Sequence, residues 1–237
     1  MFNTNISLYG IMLVISLFSN VIVVLCIYQK YNLTRDEVIG ALVYENVGII
    51  IGAKFLTYLE NLNIYKNFDF LNIGLTSYGA LLGAIICLFI FKIQFKKKAK
   101  DIYYTFLPSI PLMYAIGKIG CFLVGCCYGM EYNGLGNIIY NYSSNAPKNI
   151  SLFPVQILET IIFTLIFIYT IKKTIKNKFN NKELGIFITL CGTAKFLLDF
   201  LRMKTTSNIF STNQVLSLIF IFVGIFIFMK YLKEEND

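Results

Sequence analysis

The sequence predicts an all-α integral membrane protein, a bundle of seven transmembrane helices, and three observations carry that reading. First, 57% of the 237 residues are hydrophobic, only 14% are charged and the mean hydropathy is +0.66, which is too apolar for a soluble domain of this length. Second, windows of the ~20 apolar residues needed to cross a ~30 Å hydrocarbon layer occur at about 6–28, 38–59, 73–91, 102–128, 153–171, 184–201 and 213–232. Third, Lys and Arg are spread unevenly between alternate connections, as they are when a membrane protein has a fixed orientation.

Taken in order, the first span opens on "MFNTNIS". That segment has no basic leading region, and the long apolar run after it lacks a small-residue cleavage site, so it reads as a permanent helix. The second span places Glu45, Gly48 and Gly52 on one stripe, with Lys54 two residues beyond. The third opens with "GLTSYGALLG" at 74–83, and the fourth ends in "GKIGCFLVGCCYG" at 117–129. On a 100° wheel Lys118, Cys121, Gly125 and Gly129 fall within about 80° of one another. Small residues there admit a second helix or a ligand, helix packing being the commoner use. The fifth span begins "FPVQILET" at 153–160, the sixth ends "AKFLLDFLR" at 194–202, and the seventh begins "TNQVLSL" at 212–218.

With the N-terminus outside and the C-terminus in the cytoplasm, fourteen of the 21 basic residues lie on the cytoplasmic side: Lys30, Arg35, Lys92, Lys96, Lys97, Lys98, Lys100, Lys172, Lys173, Lys176, Lys178, Lys182, Lys230 and Lys233. The outer side holds Lys66, Lys148, Arg202 and Lys204. The net charge of +8 is therefore mostly orientation bias, and no nucleic-acid partner is expected. Lys54, Lys118 and Lys195 remain, one each in the second, fourth and sixth spans. An intramembrane cation costs ~2.5–3.5 kcal/mol on insertion scales, so it normally faces the bundle interior, pairs, or lines a wet cavity. Three acids are embedded as well, Glu45, Glu159 and Asp199. One reading is mutual neutralisation, with Lys195 and Asp199 as a local i, i+4 pair. The other is an anion site opening toward the outer surface, for which a phospholipid head group is the natural ligand.

The chain has no histidine, so proton transfer falls to carboxylate, tyrosine, lysine, thiol or water. Its six cysteines, Cys26, Cys87, Cys121, Cys126, Cys127 and Cys191, lie in or beside apolar segments, where free cysteine packs as a small hydrophobe. The spacing of Cys121, Cys126 and Cys127 does not supply the four converging ligands of a zinc site. No metal and no cofactor are expected. Cys127 reads as a packing residue, and Cys121, on the Lys118 face, as a pocket residue.

Read together, these segments resemble the prolipoprotein diacylglyceryl transferase family. "GKIGCFLVGCCYG" is similar to its G-R-I-G-N-F-x-x-G-E-x-x-G signature, "LYG" at 8–10 to W-Y-G, "GAKF" at 52–55 to G-A-R-L, and "GLTSYGALLG" to G-M-S-F-H-G-G-L-L-G. "FPVQILET" resembles H-P-T-Q-L-Y-E, "AKFLLDFLR" resembles x-R-F-x-x-E-x-x-R, and "TNQVLSL" its t-x-x-Q-x-L-S segment. The order matches along nearly the whole chain, and the "GCCYG" form identifies it as a member of a divergent branch.

The resemblance implies a seven-helix bundle in a bacterial plasma membrane with a small extracytoplasmic head, to which loop 130–152 would contribute. It also implies transfer of diacylglyceryl from phosphatidylglycerol to the lipobox cysteine thiol of a lipoprotein precursor, giving a thioether and glycerol phosphate. On that pattern Lys118 and Lys195, standing where the family has essential arginines, hold the donor phosphate. Lys54 and Arg202 admit the head group, and Tyr78 (a family histidine position) or Glu159 takes the thiol proton. Tyr9, Cys121, Gly129, Gln156, Asp199 and Gln214 complete the substrate-binding set, Cys121 and Cys126 replacing the signature asparagine and glutamate. Two other functions fit the same scaffold: transfer of another lipid group to another acceptor, and non-catalytic lipid binding or transport.

Overall fold

The computed structural model describes residues 8–62, 73–95, 99–141, 143, 145–203 and 211–236, with backbone alone for 99, 100 and 236. Residues 6 and 7 of the first expected span, and Lys66, Lys96, Lys97, Lys98 and Lys204 among the loop cations, lie outside them. The described chain is helical: α1 (Leu8–Ile27), a 3₁₀ turn (Tyr28–Tyr31), α2 (Arg35–Glu60), α3 (Ser77–Phe95), α4 (Ala99–Phe106), α5 (Ser109–Val124), α6 (Val155–Lys176), α7 (Asn181–Asp199) and α8 (Thr212–Asn236). Two short strands, β1 (Ile138–Ile139) and β2 (Ser151–Leu152), pair antiparallel between α5 and α6.

Among the described residues six helical stretches are long and apolar enough to span a bilayer: Leu8–Tyr31, Arg35–Glu60, Ser77–Phe95, Asp101–Val124, Val155–Lys176 and Thr212–Glu235. The chain is thus a multi-pass membrane protein. The stretch expected at 184–201 is a helix, α7, yet it is outside that set. Its 19 residues carry Lys182, Glu183, Lys195 and Asp199, a charge load that only internal partners can make compatible with lipid. The fourth expected span, 102–128, differs at both ends. It is divided at Leu107–Pro108, where proline supplies no N–H to continue α4. Its helix also stops at Val124, because Gly125 adopts a left-handed conformation at φ 72° and caps it. Gly125 and Gly129 therefore do not continue the Lys118–Cys121 stripe as helix.

Local signals explain the helix starts. Thr34 and Glu37 form a capping box on α2, with Thr34 N–H donating to Glu37 Oε2 at 2.7 Å and Glu37 N–H donating to Thr34 Oγ1 at 3.4 Å. Asn180 caps α7 by accepting from Glu183 N–H at 3.0 Å.

The chain forms two compact units. In Val21–Leu107, α2 and α3 pack backbone against backbone. A Cβ on Gly48 would strike the Gly83 carbonyl oxygen, and one on Gly52 that of Gly79. The stripe carrying Glu45 is thus a helix-packing face, the commoner use of small residues in membranes. Beside it Val24, Val38, Ala41, Leu42, Leu88, Phe91, Ile102 and Phe106 form a buried cluster. The other unit, Met1–Asn20 with Pro108–Asp237, pairs α5 with α6 and α7 with α8. The start of α1 is tied to α5 by Ser16 Oγ donating to the Met113 carbonyl at 3.1 Å. Outward faces are apolar: Leu8, Ile11, Ile15, Phe18 and Ile22 line α1, and Phe222 and Phe226 stand out from α8, as a lipid-facing surface requires.

Replacing Gly83 by leucine inserts a side chain between the α2 and α3 backbones. Overpacking of this kind costs about 1–3 kcal/mol, so Gly83→Leu is expected to lower the thermal midpoint in detergent, whereas Gly117→Ala, whose Cβ would meet nothing within 4 Å, leaves it unchanged.

Candidate functional site

Three helices of the second unit bring their charged residues to one place. On α5, Tyr114, Lys118 and Cys121 recur at four- and three-residue intervals and so share a face. On α6, Gln156 and Glu159 share the face that α5 covers; they are 0% and 1% exposed. From α7 come Lys195 and Asp199, with Arg202 just past the helix end.

Glu159 is the centre. Its Oε2 lies 2.9 Å from Lys118 Nζ. Its Oε1 accepts from Tyr114 Oη at 2.8 Å, and Arg202 Nη2 donates to Oε1 at 2.8 Å and to Oε2 at 3.1 Å. Lys195 Nζ donates to Tyr114 Oη at 2.8 Å, so the phenol links the second lysine to the carboxylate. Both ammonium groups also sit near the Tyr114 ring, Lys118 at 5.1 Å and Lys195 at 4.8 Å from its centroid, within cation–π range. Phe163 of α6 packs on that ring at 4.2 Å between centroids and holds it in place. On the other side, Arg202 Nη1 is 3.9 Å from Asp199 Oδ1. Ser211 Oγ donates to Asp199 Oδ2, and Gln214 closes the chain by accepting from Ser211 N–H at 2.9 Å. One polar network thus runs through α5, α6, α7 and the start of α8, and in it three cations meet two carboxylates.

Three buried polar atoms in this region have no hydrogen-bond partner among the described residues: Arg202 Nε, Gln156 Oε1 and Gln214 Nε2. Buried polar groups are nearly always satisfied, so these mark places where a ligand's donors and acceptors would be welcome. An apolar recess of about 190 Å³ lies nearby, between α5 and α6, lined by Ile119, Phe122, Ile157, Thr160 and Ile161.

The segment after α5 ties the network together. Met130 N–H donates to the Leu201 carbonyl at 2.9 Å and Met203 N–H to the Tyr128 carbonyl at 3.4 Å, with Gly129 bridged to Arg202. Phe153 N–H donates to the Met130 carbonyl at 2.9 Å. Gly129 fits because a Cβ there would strike the Phe153 carbonyl oxygen. Gln156 Nε2 donates to the Cys126 carbonyl at 2.9 Å and to Tyr140 Oη at 3.4 Å. Burial pushes the Tyr140 phenol up to about 12, so it stays protonated at any ordinary pH.

Of the residues singled out from sequence, Lys118, Glu159, Lys195, Asp199 and Arg202 are brought together, and Gln156, Gly129 and Gln214 attach to the same network. Tyr9 packs over Gly120 on α5, where a Cβ would come within 3.1 Å of its ring. Cys121 is buried one turn beyond Lys118, and the sulfurs of Cys121, Cys126 and Cys127 lie within 4.8 Å of one another, a convergence that sequence spacing does not reveal. Lys54 and Tyr78 belong to the other unit. There Lys54 Nζ donates to the Ile73 carbonyl at 3.1 Å, and Tyr78 stands half-buried in the first turn of α3. Sequence reasoning missed Tyr114, the residue both lysines use. The available signal was its position four residues before Lys118, one helical turn away on the same face.

Fold and site define a multi-pass membrane protein built around a buried cluster of cations and carboxylates. The chain matches the family described as Prolipoprotein diacylglyceryl transferase over residues 1–230, and it belongs to that family. Among its relatives are a Clostridium tetani protein named phosphatidylglycerol–prolipoprotein diacylglyceryl transferase, 29% identical over 96% of this chain and 94% of the relative, and a Clostridium perfringens protein named phosphatidylglycerol–prolipoprotein diacylglyceryl transferase 2, 25% identical over 100% and 96%. A Dehalococcoides mccartyi protein with the first of those names is 27% identical over 97% and 90%.

Removing the anion of a buried ion pair leaves its cations uncompensated, typically at about 3–5 kcal/mol. Glu159→Gln is therefore expected to lower the thermal midpoint in detergent more than any single substitution on the lipid-facing side of α8. Adding Lys118→Met to Glu159→Gln should recover part of the loss, and an additive double-mutant cycle would show that the two side chains do not interact.

Proposed function

We propose that this protein is a membrane transferase that moves diacylglyceryl from phosphatidylglycerol, or a related anionic phospholipid, to a cysteine thiol of a lipoprotein precursor. The observation that carries the reading is the meeting of Lys118, Lys195 and Arg202 at Tyr114 and Glu159. A cationic cluster fixed before the substrate arrives stabilises charge as it develops on a departing phosphate. Lys118 and Lys195 bear on that phosphate, and Arg202, beside the segment after α5, admits the head group. Glu159 already accepts from three donors, which suits it to holding the cations in place and not to collecting a proton. Gln156 Oε1 and Gln214 Nε2 offer an acceptor and a donor to the glycerol and ester groups. The recess between α5 and α6 has the apolar lining an acyl chain needs. Tyr9, Cys121, Gly129 and Asp199 complete the pocket on this reading.

The same reading places the protein in a bacterial plasma membrane with seven spans, α7 being the seventh because its lysine and aspartate belong to the internal network. The N-terminus is outside, the C-terminus cytoplasmic, and loop 130–152 with its β1–β2 ribbon forms an extracytoplasmic head. Reporter fusions check the orientation: a C-terminal fluorescent protein is expected to be fluorescent and a C-terminal alkaline phosphatase inactive, and the reverse pattern would refute it.

Purified protein incubated with phosphatidylglycerol vesicles and a lipobox peptide is expected to yield a thioether-linked diacylglyceryl peptide and glycerol phosphate. Lys118→Ala should reduce the rate by at least about a hundredfold, the usual size of losing one preorganised donor to a transition-state oxyanion. Failure of the wild type to release product above that variant would reject the reading.

A further inference from the structure

The turn that ends α5 gathers three thiols. Gly125 reverses the chain at φ 72°, Cys126 N–H donates to the Cys121 carbonyl at 3.0 Å, and Cys127 follows at φ 54°. The result is that Cys121, buried on the last turns of α5, faces Cys126 and Cys127 from the loop, all three sulfurs lying within 4.8 Å of one another. The turn is held on both sides, by Gln156 on the Cys126 carbonyl and by Met203 N–H on the Tyr128 carbonyl. We propose that Cys121, Cys126 and Cys127 are a three-thiolate site for a zinc ion whose open fourth position, reached past exposed Cys127, binds the thiolate of the acceptor cysteine.

Geometry allows it with little movement. Sulfurs each about 2.3 Å from a shared tetrahedral zinc are about 3.8 Å apart, so a triangle no wider than 4.8 Å closes with shifts of about 0.6 Å per atom. The donor set selects the ion: three soft thiolates with no carboxylate or imidazole among them favour zinc over magnesium, calcium or manganese. Charge is complementary too. Three thiolates and a dication sum to −1, and Lys118 and Arg202 are in electrostatic reach of Cys127. Three protein ligands plus an open position is the pattern of a zinc site that does chemistry, whereas structural sites are closed by four.

The role assigned to the open position rests on the transferase reading. A thiol bound to zinc is deprotonated, which a chain with no histidine has few other ways to achieve. The acceptor S–H proton leaves to water, the zinc-held sulfur lone pair forms the S–C bond to the glyceryl carbon, and the C–O bond to phosphate breaks with its electron pair on the departing glycerol phosphate. No oxidant or reductant is involved.

The full-length protein, purified in detergent, is expected to contain one zinc per chain. When exchanged with Co²⁺ it should show thiolate-to-cobalt charge-transfer absorption. Cys121→Ser and Cys126→Ser should each weaken zinc binding at least about a hundredfold, more than is lost with a residue that merely orients a ligand, while Cys87→Ser and Cys191→Ser leave it intact. A cysteine lipobox peptide, added without phospholipid, should change the cobalt spectrum, and its serine counterpart should not. Wild-type protein of normal thermal stability with no zinc and no cobalt band, or with a disulfide joining two of these cysteines, overturns the proposal, as does bound metal that ignores the cysteine peptide. Thioether formation at the wild-type rate by the Cys121→Ser/Cys126→Ser/Cys127→Ser variant also overturns it and leaves the transferase reading standing. Peptide-responsive cobalt without thioether product does the opposite, upholding the site and refuting the transfer.

Discussion

A carboxylate 1% exposed to its surroundings, shared by two cations and a phenol, is the constraint around which the second unit is arranged. Glu159 cannot be placed among apolar helices without donors to each oxygen, because an isolated buried charge costs several kcal/mol or more. Those donors come from α5 and from the end of α7, so satisfying one residue of α6 fixes the relative positions of three helices. The requirement is mutual. Lys118 is itself buried and would be expelled from the bundle without its anion, and Arg202 stays inside because Glu159 and Asp199 face it together.

The same constraint explains why the loop after α5 is so closely stitched. Arg202 leaves α7 at the helix end, where backbone carbonyls and amides run out of helical partners. Met130 and Tyr128 supply them through the bonds to Leu201 and Met203, and Phe153 in turn holds Met130. The short left-handed turn at Gly125 is the device that returns the chain in time to do so. What a wheel drawn on the sequence treats as two more turns of helix is used instead to anchor the arginine and to fold the cysteines back over α5.

How far the residues alone could be read follows from which effects are local. Helix existence was legible because apolar runs of ~20 residues have one common explanation, and the buried charges were legible because charge is rare there. The break at Leu107–Pro108 and the stop at Gly125 were not, since a hydropathy window averages over a single proline or glycine. The sixth expected span kept its helix but not its apolar character, because Lys195 answers to Tyr114 on α5 and Asp199 to Arg202 and Ser211, partners that no window can see. The same holds for the site. Lys118, Glu159, Lys195 and Arg202 drew attention by their charge, whereas Tyr114 is an ordinary residue in an aromatic-rich chain until two lysines and a glutamate are found on it.

Tyr114 also bears on why lysine suits positions 118 and 195. An arginine offers a planar fork suited to two oxygens at once, and a lysine a compact point charge on a flexible stem. Here the acceptors presented to the lysines are single: one Glu159 oxygen for Lys118 and one phenol oxygen for Lys195, with an aromatic face near both. An ammonium brings three N–H donors into that dry interior, against the five of an arginine, so it has fewer to satisfy where only one oxygen is offered. The arginine of the cluster, Arg202, sits where two carboxylates share it, bonding both Glu159 oxygens through Nη2 and facing Asp199 with Nη1. Even there, among the described residues, its Nε has no partner. The lysines are thus matched to their surroundings by more than charge, and the phenol between them is what makes the match.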